Sequence, residues 1–298
     1  MSCMPPHAEI TRVINCQNQL GEGPIWSPLH QKLWWVDVST PTLWRFDPLS
    51  GATDRWPLPK PPAVIALRQS GGLLLLFRRG HLLLDQLVPG DTIPEPLPLD
   101  LENDRLNDGR VDAAGRLWVG SLARDLRSPV GKLYLFEGGD RNPPLRPVES
   151  GFTLSNGIGW NPERTLMYFA DTHSKTIHTF DFDLETGGLS SKRVLTQISG
   201  EGGPDGLTVD ADGNVWVAIF GAGAVHCYRP DGKLVRSVEL PTAYPTSCTF
   251  GGVDLDTLYV TSASTDFHGD PVPEGDGGGA LWAVKGVGRG QAESLLPY

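Results

Sequence analysis

No stretch of this 298-residue chain carries ten or more residues of amphipathic helical periodicity, which excludes a βαβ architecture. Long apolar runs are missing too. Leu73-Leu74-Leu75-Leu76-Phe77 is far too short to span a bilayer, and Arg78-Arg79 follow it at once. Met1 to Cys16 holds no apolar core of signal-peptide length and one basic residue, Arg12, so a cytoplasmic protein that engages no membrane is expected. Basic charge is in deficit: 25 Lys and Arg against 35 Asp and Glu give a net charge of −10, which argues against nucleic-acid binding. Cysteine is scarce. Cys3, Cys16, Cys227 and Cys248 form no CxxC and no zinc spacing, and are expected to be reduced, buried thiols. Ser121, Ser155 and Ser247 stand in no Gly-x-Ser-x-Gly elbow, so a serine hydrolase is excluded as well.

What the chain has is turns, and one phrase used repeatedly. Its 36 Gly and 26 Pro are spread along its length, with no linker or low-complexity tract to divide it into domains. Gly21-Glu22-Gly23-Pro24-Ile25-Trp26 leads into Lys32 to Asp37; Ser155-Asn156-Gly157-Ile158-Gly159-Trp160 leads into Thr165 to Asp171. Pro204-Asp205-Gly206-Leu207 leads into Asn214 to Val217, and a variant, Asn107-Asp108-Gly109-Arg110-Val111, leads into Arg116 to Val119. With Trp34, Leu74, Trp118, Tyr168, Trp216 and Tyr259 taken as equivalent, the steps are 40, 44, 50, 48 and 43 residues. A period of that size, filled by several short strands and tight turns, is the signature of a β-propeller blade. Six units fill the chain, the second being the least regular. Ile10 to Ile14 is an extra strand without a blade of its own. It is predicted to pair with blade six, closing an all-β, six-bladed, single-domain propeller over 1–298 and removing two open sheet edges.

In such a ring the first strand of each blade lines the channel, and the residues entering it gather at one mouth. Glu22, Asn107, Asn156 and Asp205 all enter first strands; Asp37, Asp125, Asp171 and His173 follow second strands and lie towards the same face. Blades two and six offer only Pro62 or Ala63 and Pro245 or Thr246. Any one polar residue before glycine is an ordinary turn former. Several in equivalent slots point instead to an oxygen-ligand site, in which two carboxylates neutralise a divalent cation and leave room for water and substrate. Asp210-Ala211-Asp212-Gly213-Asn214 resembles the opening of a calcium loop but lacks the glutamate at its twelfth position, where Gly221 stands, and is predicted to be a hairpin turn. His178 and His226 fall in outer strands and are assigned to structure.

Taken together, Leu20-Gly21-Glu22-Gly23-Pro24, Arg105-Leu106-Asn107-Asp108-Gly109, Leu154-Ser155-Asn156-Gly157, Pro204-Asp205-Gly206 and Thr246 to Gly252 resemble the senescence-marker protein (regucalcin)/gluconolactonase/luciferin-regenerating-enzyme family over nearly the whole chain. The resemblance implies a six-bladed propeller that acts as a metal-dependent lactonase. It implies Glu22, Asn156 and Asp205 as ligands of one divalent cation (Ca, Zn, Mn, Mg or Fe), with Asp205 also the catalytic acid/base. Arg105 and Asn107 would bind sugar hydroxyls or the lactone ring, and Asp125 matches, one methylene shorter, an acidic lid residue that contacts substrate. Two segments depart from the family pattern. Gly120-Ser121-Leu122 replaces Gly-Thr-Met, and Arg78-Arg79-Gly80-His81 in blade two matches nothing diagnostic.

The expected activity is therefore hydrolysis of a sugar aldono-lactone, such as gluconolactone or a pentonolactone, by a monomer or weak oligomer whose partner is that small molecule. Two alternatives share the same scaffold: a calcium-binding regulatory or scaffold propeller, and a metal-dependent hydrolase of other esters. A scaffold has no need of Arg105 and Asn107 beside a metal triad.

Overall fold

The computed structural model describes residues 8–84, 94–97, 101, 103–136, 145–273 and 277–297; Cys3 lies outside them. The predicted ring is present. Six antiparallel four-stranded sheets follow one another, and their innermost strands are Gly21–Ser27, Pro62–Leu67, Asp104–Val111, Ser155–Trp160, Gly203–Val209 and Pro245–Gly251. Among the described residues no helix is long and apolar enough to cross a membrane.

Closure comes from the predicted strand. Glu9–Ile14 pairs antiparallel with Leu281–Lys285, so blade six is built from both ends of the chain. Unfolding this sheet therefore requires the two segments to separate. The expected removal of two open edges is corrected: each blade remains a separate four-stranded sheet, and Glu9–Ile14 is itself the outer edge of this one.

In two of the hairpins the repeated phrase has a physical cause. In blade three the buried Asp112 carboxylate accepts the N–H groups of Ala114 and Arg116, while its second oxygen takes the indole N–H of Trp118 at 2.9 Å. In blade five Asp210 does the same for Asp212, Asn214 and Trp216, the last at 2.8 Å. One carboxylate thus shapes the turn and satisfies the one polar atom of a tryptophan otherwise packed between blades. This confirms the hairpin reading of Asp210 to Asn214. His178 and His226 lie in third strands, where burial, followed by the charge of Lys192 at His178, pulls both imidazoles below their ordinary range.

Each pairing of first with second strand carries the same defect. The inner strand holds one residue more than its partner, between Glu22 and Ile25, Pro62 and Val64, Leu106 and Gly109, Ser155 and Ile158, Pro204 and Leu207, and Pro245 and Ser247. A β-bulge bends the strand and re-aims a side chain, so six bulges at one level turn side chains into the channel mouth together. Two glycines let the bulged strands lie close. A Cβ on Gly157 would stand 2.4 Å from the Leu207 nitrogen, and one on Gly206 would stand 1.9 Å from Ser247 Oγ. Neither has a positive φ, so strand-to-strand clearance, not a sharp turn, is what requires glycine there.

The opposite end of the channel is crossed by the C-terminal tail. Gly290 bonds to Leu255, Ala211 to Arg289, and Leu296 to Leu67, while the Gln291 amide donates to the carbonyls of Trp160, Val209 and Asp210. Glu293 reaches inward and pairs with Arg110 through both oxygens, at 3.0 and 2.6 Å. The same guanidinium donates to Leu207 O and Thr249 Oγ1, joining the inner strands of blades three, five and six at one group. Both side chains are mostly withdrawn from water. Glu293→Gln should therefore remove the one carboxylate hydrogen-bonded to a buried cation and cost about 3 kcal/mol in chemical denaturation, with Arg110→Met added to it recovering part of that loss.

Candidate functional site

Counting locates the site residues within the bulges. Eight residues before the left-handed turn residue of the first five hairpins (Gln31, Gly71, Gly115, Arg164 and Gly213) stand Gly23, Ala63, Asn107, Asn156 and Asp205, and in blade six Leu255 marks Ser247. Asn107, Asn156 and Asp205 are thus true equivalents. Glu22 is not, because it still pairs with Val36 and the bulge passes through Gly23-Pro24. The expectation of four matched slots is corrected to three. Glu22 enters from one position earlier on a longer side chain.

A chain of hydrogen bonds fixes the amides. Thr172 Oγ1 donates to Pro204 O at 2.7 Å, so its lone pairs are what it offers the Asn156 amide, whose Nδ2 approaches at 2.7 Å. That assignment sets which end of the Asn156 amide is oxygen. Its Oδ1 accepts from Asn107 Nδ2 at 2.8 Å, and the same Asn107 nitrogen donates to Ser155 O at 2.9 Å. Arg105 Nη1 stands 3.5 Å from Asn107 Oδ1. The Asn156 amide also acts on Asp205, favouring its charged form.

The carboxylates are held in an unfavourable state. Asp205 is buried, and its Oδ1 has no hydrogen-bond partner. Burial, then the charge of Glu22 and that of Asp108, pushes the Asp205 carboxyl well above its ordinary range. Burial and Asp108 push Glu22 upward as well, against one N–H bond from Gly23 at 3.1 Å. A positive charge between them would reverse both effects. The donor set, two carboxylates and an amide oxygen with one carboxylate oxygen unclaimed, fits a hard divalent cation. Among the described residues no group of three or more His, Cys, Asp or Glu is placed to hold a metal, and this set does not depend on one.

Asp108 escaped notice in the sequence. Burial raises its carboxyl to about 6, opposed by the Gly109 N–H and by Arg110, and it lines a small cavity of about 30 Å³ with Arg110 and Ser247. The signal was present, since Asp108 directly precedes a glycine as Asn156 and Asp205 do. Thr172 was missed for a different reason: a hydroxyl after a second strand has no distinctive spacing.

Several predicted mouth residues do not join this cluster. Asp37 accepts the N–H groups of Gln19, Leu20, Ser39 and Thr40, and Asp171 those of Thr153 and Leu154. Both hold loops together. Asp125 is exposed, and its carboxylate holds its own turn through the N–H groups of Arg127 and Ser128 and the Ser128 hydroxyl. With His173 it lines a separate cavity of about 450 Å³, whose wall also includes Thr172.

The sequence profile of the SMP-30/Gluconolactonase/LRE-like region matches residues 20–264. The chain belongs to this family. It is 35% identical over 292 residues to pentonolactonase XacC of Haloferax volcanii, covering 95% of this chain and 97% of that protein. It is 34% identical over 289 residues to 6-deoxy-6-sulfogluconolactonase of Pseudomonas putida, covering 95% and 97%. The structure of a calcium-binding protein, regucalcin, from Agrobacterium tumefaciens superposes with a TM-score of 0.84 at 27% identity over 96% of each chain. The family match takes in Glu22, Arg105, Asn107, Asn156 and Asp205 and stops short of the tail that carries Glu293.

Thr172→Val keeps the side-chain shape and removes the acceptor that orients Asn156. The folded protein should survive, with divalent-cation affinity lowered about tenfold, the usual scale for an outer partner of a metal ligand. Isothermal titration of the chelated protein against the wild type measures this.

Proposed function

We propose that this protein is a divalent-cation-dependent hydrolase that opens a sugar aldono-lactone to the aldonic acid. The observation that carries the reading is the unpartnered Oδ1 of Asp205, buried beside Glu22 at a mouth that also presents Arg105 and Asn107. The pentonolactonase and sulfogluconolactonase relatives support the substrate class. The calcium-binding regucalcin supports a divalent cation.

In this reading Glu22, Asn156 and Asp205 hold the cation, which supplies positive charge to polarise the ring ester carbonyl. Asp205 takes a proton from the attacking water as the water oxygen bonds to the carbonyl carbon. When the bond from that carbon to the ring oxygen breaks, Asp205 returns the proton to the leaving alkoxide. Arg105 and Asn107 grip hydroxyls or the ring, turning binding energy into orientation. Asn107 does this with one amide hydrogen bond already committed to Asn156, so its geometry is set before substrate arrives. Arg105 and Asn107 also favour catalysis over a purely calcium-binding scaffold, which would have no use for polar groups outside the triad. Cys16, Cys227 and Cys248 are free thiols, in keeping with a reducing, cytoplasmic setting.

A proton-release assay over pentono- and hexonolactones, with spontaneous opening subtracted, tests the reading. Activity should vanish on chelation and return with a divalent ion; no turnover of any lactone by the metal-loaded protein would refute it. In the same assay Arg105→Ala and Asn107→Ala should keep the metal and raise KM or lower kcat. Loss of metal from Asn107→Ala alone would make Asn107 a fourth ligand.

A further inference from the structure

Among the described residues every aromatic ring but one is buried or mostly covered; Phe267 is left half in water, at 50% exposure. A single exposed apolar side chain is ordinary on a protein surface. This one is held in place. Asp266 Oδ1 fixes its turn by accepting the N–H groups of His268 and Asp270 at 2.8 and 3.0 Å. The same loop is tied to the segment leading into blade one, through Ser264 N–H to Asn18 O and the Thr265 hydroxyl to Gln19 O. The Phe267 ring leans edge-on against Phe220, with centroids 4.4 Å apart, and Phe220 leans in turn on Tyr244.

A second exposed apolar side chain lines the same cavity of about 450 Å³. Leu126, on the turn that Asp125 organises, is 40% exposed and has a φ of 54°, in the left-handed region. That conformation strains a leucine, whereas asparagine or glycine adopts it at lower cost. A side chain both strained and wet is a poor choice for stability, and facing a cavity it has a use only for a ligand. The cavity also presents Arg127, His173 and Lys175. Its wall includes Thr172, whose hydroxyl meets the Asn156 amide at 2.7 Å, so it adjoins the candidate cation site. Two apolar side chains and three polar ones around a space of this size match a small molecule with apolar faces and a polar edge.

We propose that Phe267 and Leu126 are specificity-determining residues, which receive the C–H faces of the lactone's sugar ring while Arg127, His173 and Lys175 meet its hydroxyl edge. A saturated ring lays its C–H bonds against the electron-rich face of an aromatic side chain. Leu126 and Phe267 come from loops of blades three and six, which stand across the channel from each other, so they bound the sugar from two sides. Both are fixed before substrate arrives, which limits the entropy lost on binding. This inference rests on the lactonase reading and adds how the sugar is recognised.

The test uses the lactone that the metal-loaded wild type turns over fastest, and measures kcat, KM, cation affinity and thermal melting in Phe267→Ala, Phe267→Tyr and Leu126→Asn. Phe267→Ala should keep its cation affinity and raise KM about tenfold, the scale of one lost aromatic contact and the area it covered. Phe267→Tyr, which keeps the ring face, should recover most of that loss. Leu126→Asn should raise KM about threefold yet melt no earlier than the wild type, because asparagine accepts the left-handed backbone. Residues kept for structure alone would give the opposite pattern, earlier melting with KM unmoved. That pattern, or a Phe267→Tyr variant as impaired as Phe267→Ala, overturns the apolar platform and leaves the lactonase reading standing. No turnover of any lactone by the wild type overturns both.

Discussion

Two carboxylates held side by side out of water are the constraint on which the rest of this structure turns. Glu22 and Asp205 repel each other, and Asp108 adds to the strain. An isolated hairpin could not hold them so, because it would open and let water in. A ring closed by Glu9–Ile14, strapped at its far end by the C-terminal tail and interlocked by tryptophans, can. Stability invested in the blades is what keeps the two carboxylates together at the mouth.

The bulges translate that scaffold into a site. Regular pairing would alternate side chains across each sheet and never bring the same register position of several blades to one point. One extra residue per inner strand does so, and the clearance at Gly157 and Gly206 lets neighbouring strands approach while it happens. Below the mouth, Arg110 gathers three inner strands and is itself balanced by Glu293. The tail is thus coupled to the same strands that carry Asn107 and Asp205.

Much of this was legible in the sequence because it repeats. The blade period, the closing strand, and the convergence of Glu22, Asn107, Asn156 and Asp205 at one mouth follow from spacing alone. What spacing hid were departures from the repeat. The register of Glu22 was obscured because Gln31 and Arg164 fill left-handed turn positions that glycine marks in blades two, three and five. Asp37 and Asp171 stood in the right places for a site, but unpaired loop N–H groups claimed their oxygens, which no linear pattern records. Thr172 is a tertiary fact: its hydroxyl links the Asn156 amide of its own blade to the Pro204 carbonyl of the next, and it does not belong to the recurring phrase.

The central claim is that Asp205 both holds the cation and moves the proton, and Asp205→Asn separates the two tasks. An amide oxygen can still coordinate, while the basic carboxylate is gone. Hydrolysis of the preferred lactone by the metal-saturated, folded Asn variant is the most direct measurement. The account predicts measurable cation binding with turnover reduced by roughly 10²–10⁴, the contribution expected of a positioned acid/base group. Turnover near that of the wild type in the metal-loaded variant would contradict it.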